Sequence, residues 1–310
     1  MTQNEAELGG AGEPHHREHE LLLRHPDGRG VLCAVFGARD HKRVVFYSHG
    51  FPASRIEAAV AHREAMAQGI TIIALDRPGF GSSDWYGERR FEDWAKDVTL
   101  VADHLSIERF AILGVSGGTP TAVAAAALLK GRVSSLCLVS GLGPLTAPEA
   151  LGGFNLANRA LLFLGLRAPR LSSVVMKMIA SMWRSVPVTA MVWFGALLPA
   201  VDKEIIARRD VRIVLAKNIR ESLRQGVRGV VTEFLLFLSE WRPLLRQIEV
   251  PTTIWHGDAD TYVPLTMAGF LQKEIQGSVF HKVEGGGHFM IIDRLPTILR
   301  SIGEVDPSQS

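Results

Sequence analysis

Phe110-Ala111-Ile112-Leu113-Gly114-Val115-Ser116-Gly117-Gly118, followed by the alanine-rich run from Thr121 to Leu129, is the stretch on which the fold is read. Apolar residues of strand type lead into a serine flanked by glycines, and the alanines beyond favour helix. A buried strand therefore runs straight into a helix with Ser116 at the turn. That is the setting in which Gly-x-Ser-x-Gly presents a nucleophile. The turn forces the serine into a strained backbone conformation, so its neighbours must be small enough for strand and helix to pass each other. The hydroxyl then stands at the carboxyl edge of the sheet, and the helix N-terminus behind it favours negative charge. A tight strand-to-helix turn can look the same without any chemistry, so the reading needs partners elsewhere in the chain.

Three segments supply them. Val44-Val45-Phe46-Tyr47-Ser48-His49-Gly50-Phe51-Pro52 reads as a strand ending in a His-Gly turn. Acyl transfer needs donors for the oxyanion of a tetrahedral intermediate: one from the residue after the nucleophile, Gly117, and one from a loop after an earlier strand. Phe51 has an N–H to offer there and Pro52 has none. The His49 side chain is expected to bond only loop backbone. Thr252-Thr253-Ile254-Trp255-His256-Gly257-Asp258-Ala259-Asp260-Thr261-Tyr262-Val263-Pro264 is a β-rich run ending in a turn with two carboxylates. Either could orient an imidazole, although aspartates in turns often bond only their own backbone. Gly285-Gly286-Gly287-His288-Phe289 follows a strand-like run, Ser278 to Val283. Its glycines leave the loop sterically open, and His288 at its end can swing over a serine.

With these landmarks in order, the chain resembles the α/β-hydrolase superfamily, of the capped type. The residues that carry the resemblance are His49–Pro52, Asp76-Arg77-Pro78-Gly79-Phe80-Gly81-Ser82-Ser83-Asp84, Gly114–Gly118, His256–Pro264 and Gly287–Phe289, spanning residues 20 to 303. It implies the chain order Ser…Asp…His. In the family pattern Gly-x-x-Asp-x-x-Val-Pro the acid falls on Asp260 rather than Asp258, and the base is His288. Substrate is not implied, because one scaffold hosts many chemistries. Asp76 and Arg77 are read as structural.

Composition narrows the class. The 310 residues suffice for one α/β domain plus an insertion. Lys plus Arg is 34 against 32 Asp plus Glu, and no basic stripe points to nucleic acid. Cys33 and Cys137 sit in apolar runs and read as buried reduced thiols of a reducing compartment. Met1 to Glu20 is polar, with no apolar core like that of a secretory signal, and reads as a flexible tail despite His15, His16 and His19. The cytoplasm is the expected location.

Along the chain, Leu21–Arg24 and Val31–Phe36 read as an opening antiparallel hairpin. Strands are expected at Val44–Ser48, Thr71–Leu75, Phe110–Gly114, Leu136–Ser140, Thr252–Trp255 and Val279–Val283. Helices are expected at Glu57–Gln68, Phe91–Leu105, Thr121–Leu129, Met267–Gln276 and Leu295–Ile302. The alternation implies a mostly parallel, doubly wound sheet covered on both faces. It stops after Ser140, and residues 142–249 read as a helical cap between a first core part, 21–141, and a second, 250–303, ahead of a tail at 304–310. Cap helices are expected at Phe154–Leu166, Leu171–Trp183, Val188–Leu198, Lys203–Leu215 and Val227–Ser239. Met176, Met178, Met182, Trp183, Met191, Trp193 and Phe194 suggest an apolar pocket wall, or packing between the cap helices. Val186–Val201 is too short for a comfortable membrane span and suits a lid or a homodimer contact.

The expected activity is that of a serine hydrolase acting on a carboxylic ester, or similar acyl bond, of a small to medium apolar substrate. Ser116, His288 and Asp260 would form the triad and the Phe51 and Gly117 amides the oxyanion hole, with no cofactor or metal. An aminopeptidase, a C–C hydrolase or a perhydrolase could use the same residues. The first would need an acidic cap residue, for which Glu149, Glu204, Glu221, Glu233 and Glu240 are available. Dehalogenase and epoxide hydrolase chemistry uses a carboxylate nucleophile, and this elbow carries Ser116. A non-catalytic ligand receptor on the same fold is the reading from a different class.

Overall fold

Continuous apolar runs become the central strands. In the computed structural model, residues 19–154, 156–185 and 198–303 are described. Their strands are β1 (Glu20–Arg24), β2 (Gly30–Gly37), β3 (Val44–Ser48), β4 (Thr71–Leu75), β5 (Phe110–Val115), β6 (Val133–Val139), β7 (Thr252–Gly257) and β8 (Val279–Val283). All join one sheet in the order β1-β2-β4-β3-β5-β6-β7-β8. β1 and β2 form the expected antiparallel hairpin, β2 pairs antiparallel with β4, and every later pairing is parallel. Parallel neighbours need crossovers, and helices supply them.

Alternate residues of each strand feed opposite layers. Phe46, Ile73, Ile112 and Leu138 face α2 (Asp93–His104) and α3 (Thr119–Leu128). Tyr47, Ile72, Leu113 and Val139 face α1 (His62–Ala67) and the C-terminal helix Ile291–Gly303. The helix α3 is alanine-rich because it is buried on all sides, between the sheet and α2. Small side chains let it approach both. Cys33 and Cys137 are buried and unbridged, and burial pushes each thiol up to about 12.

Between β6 and β7 the described elements are helices and no strand: after a 3-10 turn come α4 (Leu156–Arg167), α5 (Pro169–Ser185), α6 (Ala200–Ala207), α7 (Arg209–Ser222), α8 (Arg228–Phe237) and α9 (Arg242–Leu245). α10 (Leu265–Glu274) and α11 (Ile291–Gly303) complete the core. Several expectations are corrected. Lys203–Leu215 is not one helix: the chain breaks at Arg208, which is extended and whose guanidinium pairs with Asp293 of α11. Glu57–Gln68 opens as a 3-10 stretch, Arg55–Ala61, before α1 begins. β6 starts at Val133, three residues early: Val133 pairs with Phe110 of β5 before a register shift, and Leu136 pairs with Ile112 after it. α11 starts at Ile291, so Pro296 lies inside it rather than near its first turn. Glu20, assigned to the tail, begins β1, and its carboxylate bonds Arg55 at 2.6 Å. The expected helix Val188–Leu198, with Met191, Trp193 and Phe194, falls almost wholly outside the described residues.

Candidate active site

β5 delivers Ser116 to the carboxyl edge of the sheet with φ at 52°, the left-handed region that a non-glycine residue enters only under constraint. The constraint is crowding. A Cβ on Gly114 would lie 2.6 Å from the Ala122 Cβ, and one on Gly118 would meet the Ser48 and His49 carbonyls. β5 lies too close to α3 for a side chain at Gly114, and the start of α3 too close to the end of β3 for one at Gly118. Leu142 N donates to the Ser116 carbonyl at 3.1 Å, tying the elbow to the loop after β6.

The loop after β3 is clamped from behind. The Gly50 carbonyl accepts from Arg77 Nη2 and from His49 Nδ1, each at 2.9 Å, and Arg77 Nη1 also donates to the His49 carbonyl. In a trans peptide the carbonyl and the next N–H point in opposite directions. Holding the Gly50 oxygen therefore turns the Phe51 N–H the other way, and that amide makes no hydrogen bond among the described residues. A Cβ on Gly117 would sit 3.4 Å from Phe51 N, so the two expected donors are neighbours. His49 bonds loop backbone, as its sequence context suggested. Its Nε2 accepts from Arg77 N at 3.3 Å, and burial, reinforced by Arg77, lowers its pKa well below the ordinary value. It is a neutral spacer.

β7 and β8 bring the acid and the base together. Asp260 Oδ2 lies 2.7 Å from His288 Nδ1, and Asp260 Oδ1 accepts from Tyr262 N and Val263 N at 2.8 and 2.9 Å. Burial raises the Asp260 carboxyl, but the adjacent His288 outweighs it and holds the pKa below its usual value. For His288 burial opposes charge. Asp260 overcomes it, with smaller help from Asp202 and Glu57, so the imidazole titrates above its ordinary value. Asp258 points elsewhere, its Oδ1 accepting from Gly285 N at 2.7 Å. Ser140 Oγ donates to the His288 carbonyl at 3.1 Å. Among the described residues no hydrogen bond joins Ser116 to His288; such contacts commonly tighten only with substrate.

Residues that sequence reasoning did not single out complete the surroundings. Asp202 of α6 is wholly buried and accepts from His288 N at 3.0 Å and Phe289 N at 2.9 Å. Asn218 of α7 accepts from Ser54 N and Ser54 Oγ at 2.8 and 2.9 Å. Glu57 accepts from Gly50 N at 2.7 Å and from the Tyr47 hydroxyl at 3.2 Å, and burial pushes its carboxyl up. Phe237 of α8 packs edge-on to Phe51, ring centroids 5.1 Å apart. Four of the five glutamates proposed for a substrate amine are otherwise engaged, and the fifth faces solvent. Glu233 is buried between Arg77 (2.7 Å) and Arg89, Glu221 bonds Arg55, Glu149 bonds Arg242, Glu240 bonds Thr146, and Glu204 is exposed. Asp76 is held by Arg55 and Ser82, and burial pushes it up to about 6. Of the apolar cap residues, Met176 is buried against Val230 and Phe234, whereas Met178 and Met182 face solvent. No group of three or more His, Cys, Asp or Glu among the described residues is arranged to hold a metal ion.

A model of the alpha/beta hydrolase family matches residues 44–296. A bifunctional esterase/perhydrolase of Acinetobacter calcoaceticus is 23% identical over 253 residues, covering 80% of this chain and 85% of that one. A 2-hydroxy-6-oxononadienedioate/2-hydroxy-6-oxononatrienedioate hydrolase of Cupriavidus pinatubonensis is 28% identical over 230 residues, 72% of each chain. Among solved structures, an esterase from a Rhodococcus species superposes with a TM-score of 0.68 at 20% identity, covering 93% of this chain and all of that one (100%). At that identity the likeness speaks for the fold alone.

Proposed function

The chain belongs to the alpha/beta hydrolase family, and from that premise we propose that it is a serine hydrolase that cleaves a carboxylic ester of a small to medium apolar substrate. The observation that carries the proposal is the part-buried Asp260–His288 contact at 2.7 Å, in a chain whose elbow serine is held at φ 52°. In this reading the Ser116 oxygen attacks the carbonyl carbon while His288 takes its proton. Asp260 keeps the Nδ1 proton in place, so that Nε2 is the base, and stabilises the imidazolium that forms. The Phe51 and Gly117 N–H groups receive the oxyanion. Collapse expels the alcohol, protonated by His288, and water activated by the same histidine releases the acid.

An aminopeptidase reading has less support, because four of the five cap glutamates are bonded within the protein and Glu204 is exposed. Perhydrolase chemistry would share the acyl-enzyme and is compatible with the same residues. The test is turnover of p-nitrophenyl esters of increasing acyl length beside peptidyl anilides, with Ser116→Ala as control. Ester turnover that Ser116→Ala removes supports the proposal. Anilide turnover exceeding ester turnover would replace it.

A further inference from the structure

The two helices α4 and α5 are the outer layer of the insertion. α5 buries Met176 and Ala180 against Val230, Val231 and Phe234, with α8 beneath it. A helix packed on one side and wet on the other should carry polar residues outward. This one does not. Leu171, Val174, Met178 and Met182 recur along its outer face and each is more than half exposed. Leu156 and Phe163 on α4 are exposed to the same degree, with Leu166 somewhat less so.

Charge on these helices has one sign. Arg159, Arg167, Arg170, Lys177 and Arg184 are all exposed, and from Ala150 to Val201 the sequence contains no aspartate or glutamate. The near-neutral balance of the whole chain conceals this local excess. Arg167 extends over the Phe163 ring, 5.3 Å from its centroid, so cation and apolar surface share one face. Large apolar side chains interspersed with cations are what an interfacial helix presents to lipid. No described helix is long and apolar enough to cross a membrane, so the contact is peripheral.

We propose that the α4–α5 face docks on a membrane surface containing anionic phospholipid. The apolar side chains would enter the acyl boundary and the cations would meet headgroup phosphates. A second copy of the chain could cover the apolar residues, but an isologous pairing would set these cations against their own copies with no acid on either helix to neutralise them. An anionic bilayer supplies the missing charge. The inference does not depend on the reaction at Ser116.

The experiment is co-sedimentation of full-length Ser116→Ala protein with vesicles of phosphatidylcholine alone and of phosphatidylcholine with phosphatidylserine, at low and high salt. Binding is expected on the anionic vesicles only and should weaken with salt. Arg170→Gln/Lys177→Gln should weaken it about five-fold per cation removed. Val174→Glu/Met178→Glu should abolish it; both positions are exposed, and an unchanged circular dichroism spectrum checks the fold. Absence of binding to anionic vesicles, or equal binding to both kinds, overturns the proposal. So does a dimer in sedimentation velocity that Val174→Glu/Met178→Glu dissociates, since that assigns the face to a second copy.

Discussion

Asp202→Asn should separate the insertion from His288 by exchanging a single atom. In the native protein the buried carboxylate accepts from His288 N at 3.0 Å and from Phe289 N at 2.9 Å. An amide has one oxygen, so one of the two N–H groups would face an NH2 instead of an acceptor. Leaving a buried donor unsatisfied costs about 1–3 kcal/mol. The turn carrying His288 then has reason to shift, and a displacement of about 1 Å near a reacting group can cost roughly 10²-fold. We therefore expect kcat/KM for a short activated ester to fall about 10²-fold. A second effect distinguishes positioning from mere structure. Burial opposes charge on His288, Asp260 reverses that, and Asp202 adds to the upward shift. The neutral imidazole is the base, so the rising limb of kcat/KM against pH reports the pKa of His288 in the free enzyme. Removing the Asp202 charge lowers that pKa, and the limb should move to lower pH. The assay is the full pH profile of Asp202→Asn and Asp202→Ala beside the native protein. A limb that stays in place or moves to higher pH would refute the electrostatic reasoning, however slow the variants are.

Asp260→Asn should lower kcat roughly 10⁴-fold by stabilising the wrong tautomer of His288, whereas Asp258→Asn, which disturbs the bond to Gly285 N and a long ion pair with Lys282, should cost far less; steady-state kinetics of the pair would show whether the order holds. Gly117→Ala would bring a Cβ to 2.6 Å from the Phe51 Cβ and 3.1 Å from Phe237 Cζ, so the two amides must part. A loss of about 10²–10³-fold in kcat is expected from misplacing such donors, with a folded protein by circular dichroism. Glu233→Gln removes the buried charge between Arg77 and Arg89, and breaking a pair of this kind costs about 3–5 kcal/mol, measurable by urea denaturation; a loss below about 1 kcal/mol, the worth of a surface pair, would mean that the two arginines find other partners.

The central strands were legible because they are buried on both faces, and the edge strand β8, although largely exposed, because its apolar run is bounded by turn residues. Val44–Ser48, Thr71–Leu75 and Val279–Val283 have the same bounds in the sequence reading and in the structure. β6 was read short because Ser134 and Ser135 interrupt the apolar run that marks a central strand. Ser116, Asp260 and His288 stood out because each lies in a short glycine-rich turn directly after a strand, where local chemistry is visible. Asp202 was invisible for the opposite reason. In sequence it is an ordinary acid in the first turn of a helix, and its partners lie 86 and 87 positions away. Asn218 and Glu233 were hidden likewise, since their roles exist only once the insertion sits on the loops that hold Ser54 and Arg77. The break at Arg208 could not be read either, because no glycine or proline marks it and the ion pair with Asp293 is a tertiary contact.

The most direct test of the central claim is to locate the reactive residue. The native protein is treated with a fluorophosphonate and its intact mass and labelled peptide are measured. A single adduct on the peptide containing Ser116 is expected, lost in Ser116→Ala and after heat denaturation. An adduct on any other residue, or full labelling of Ser116→Ala, would contradict the assignment of Ser116 as the nucleophile.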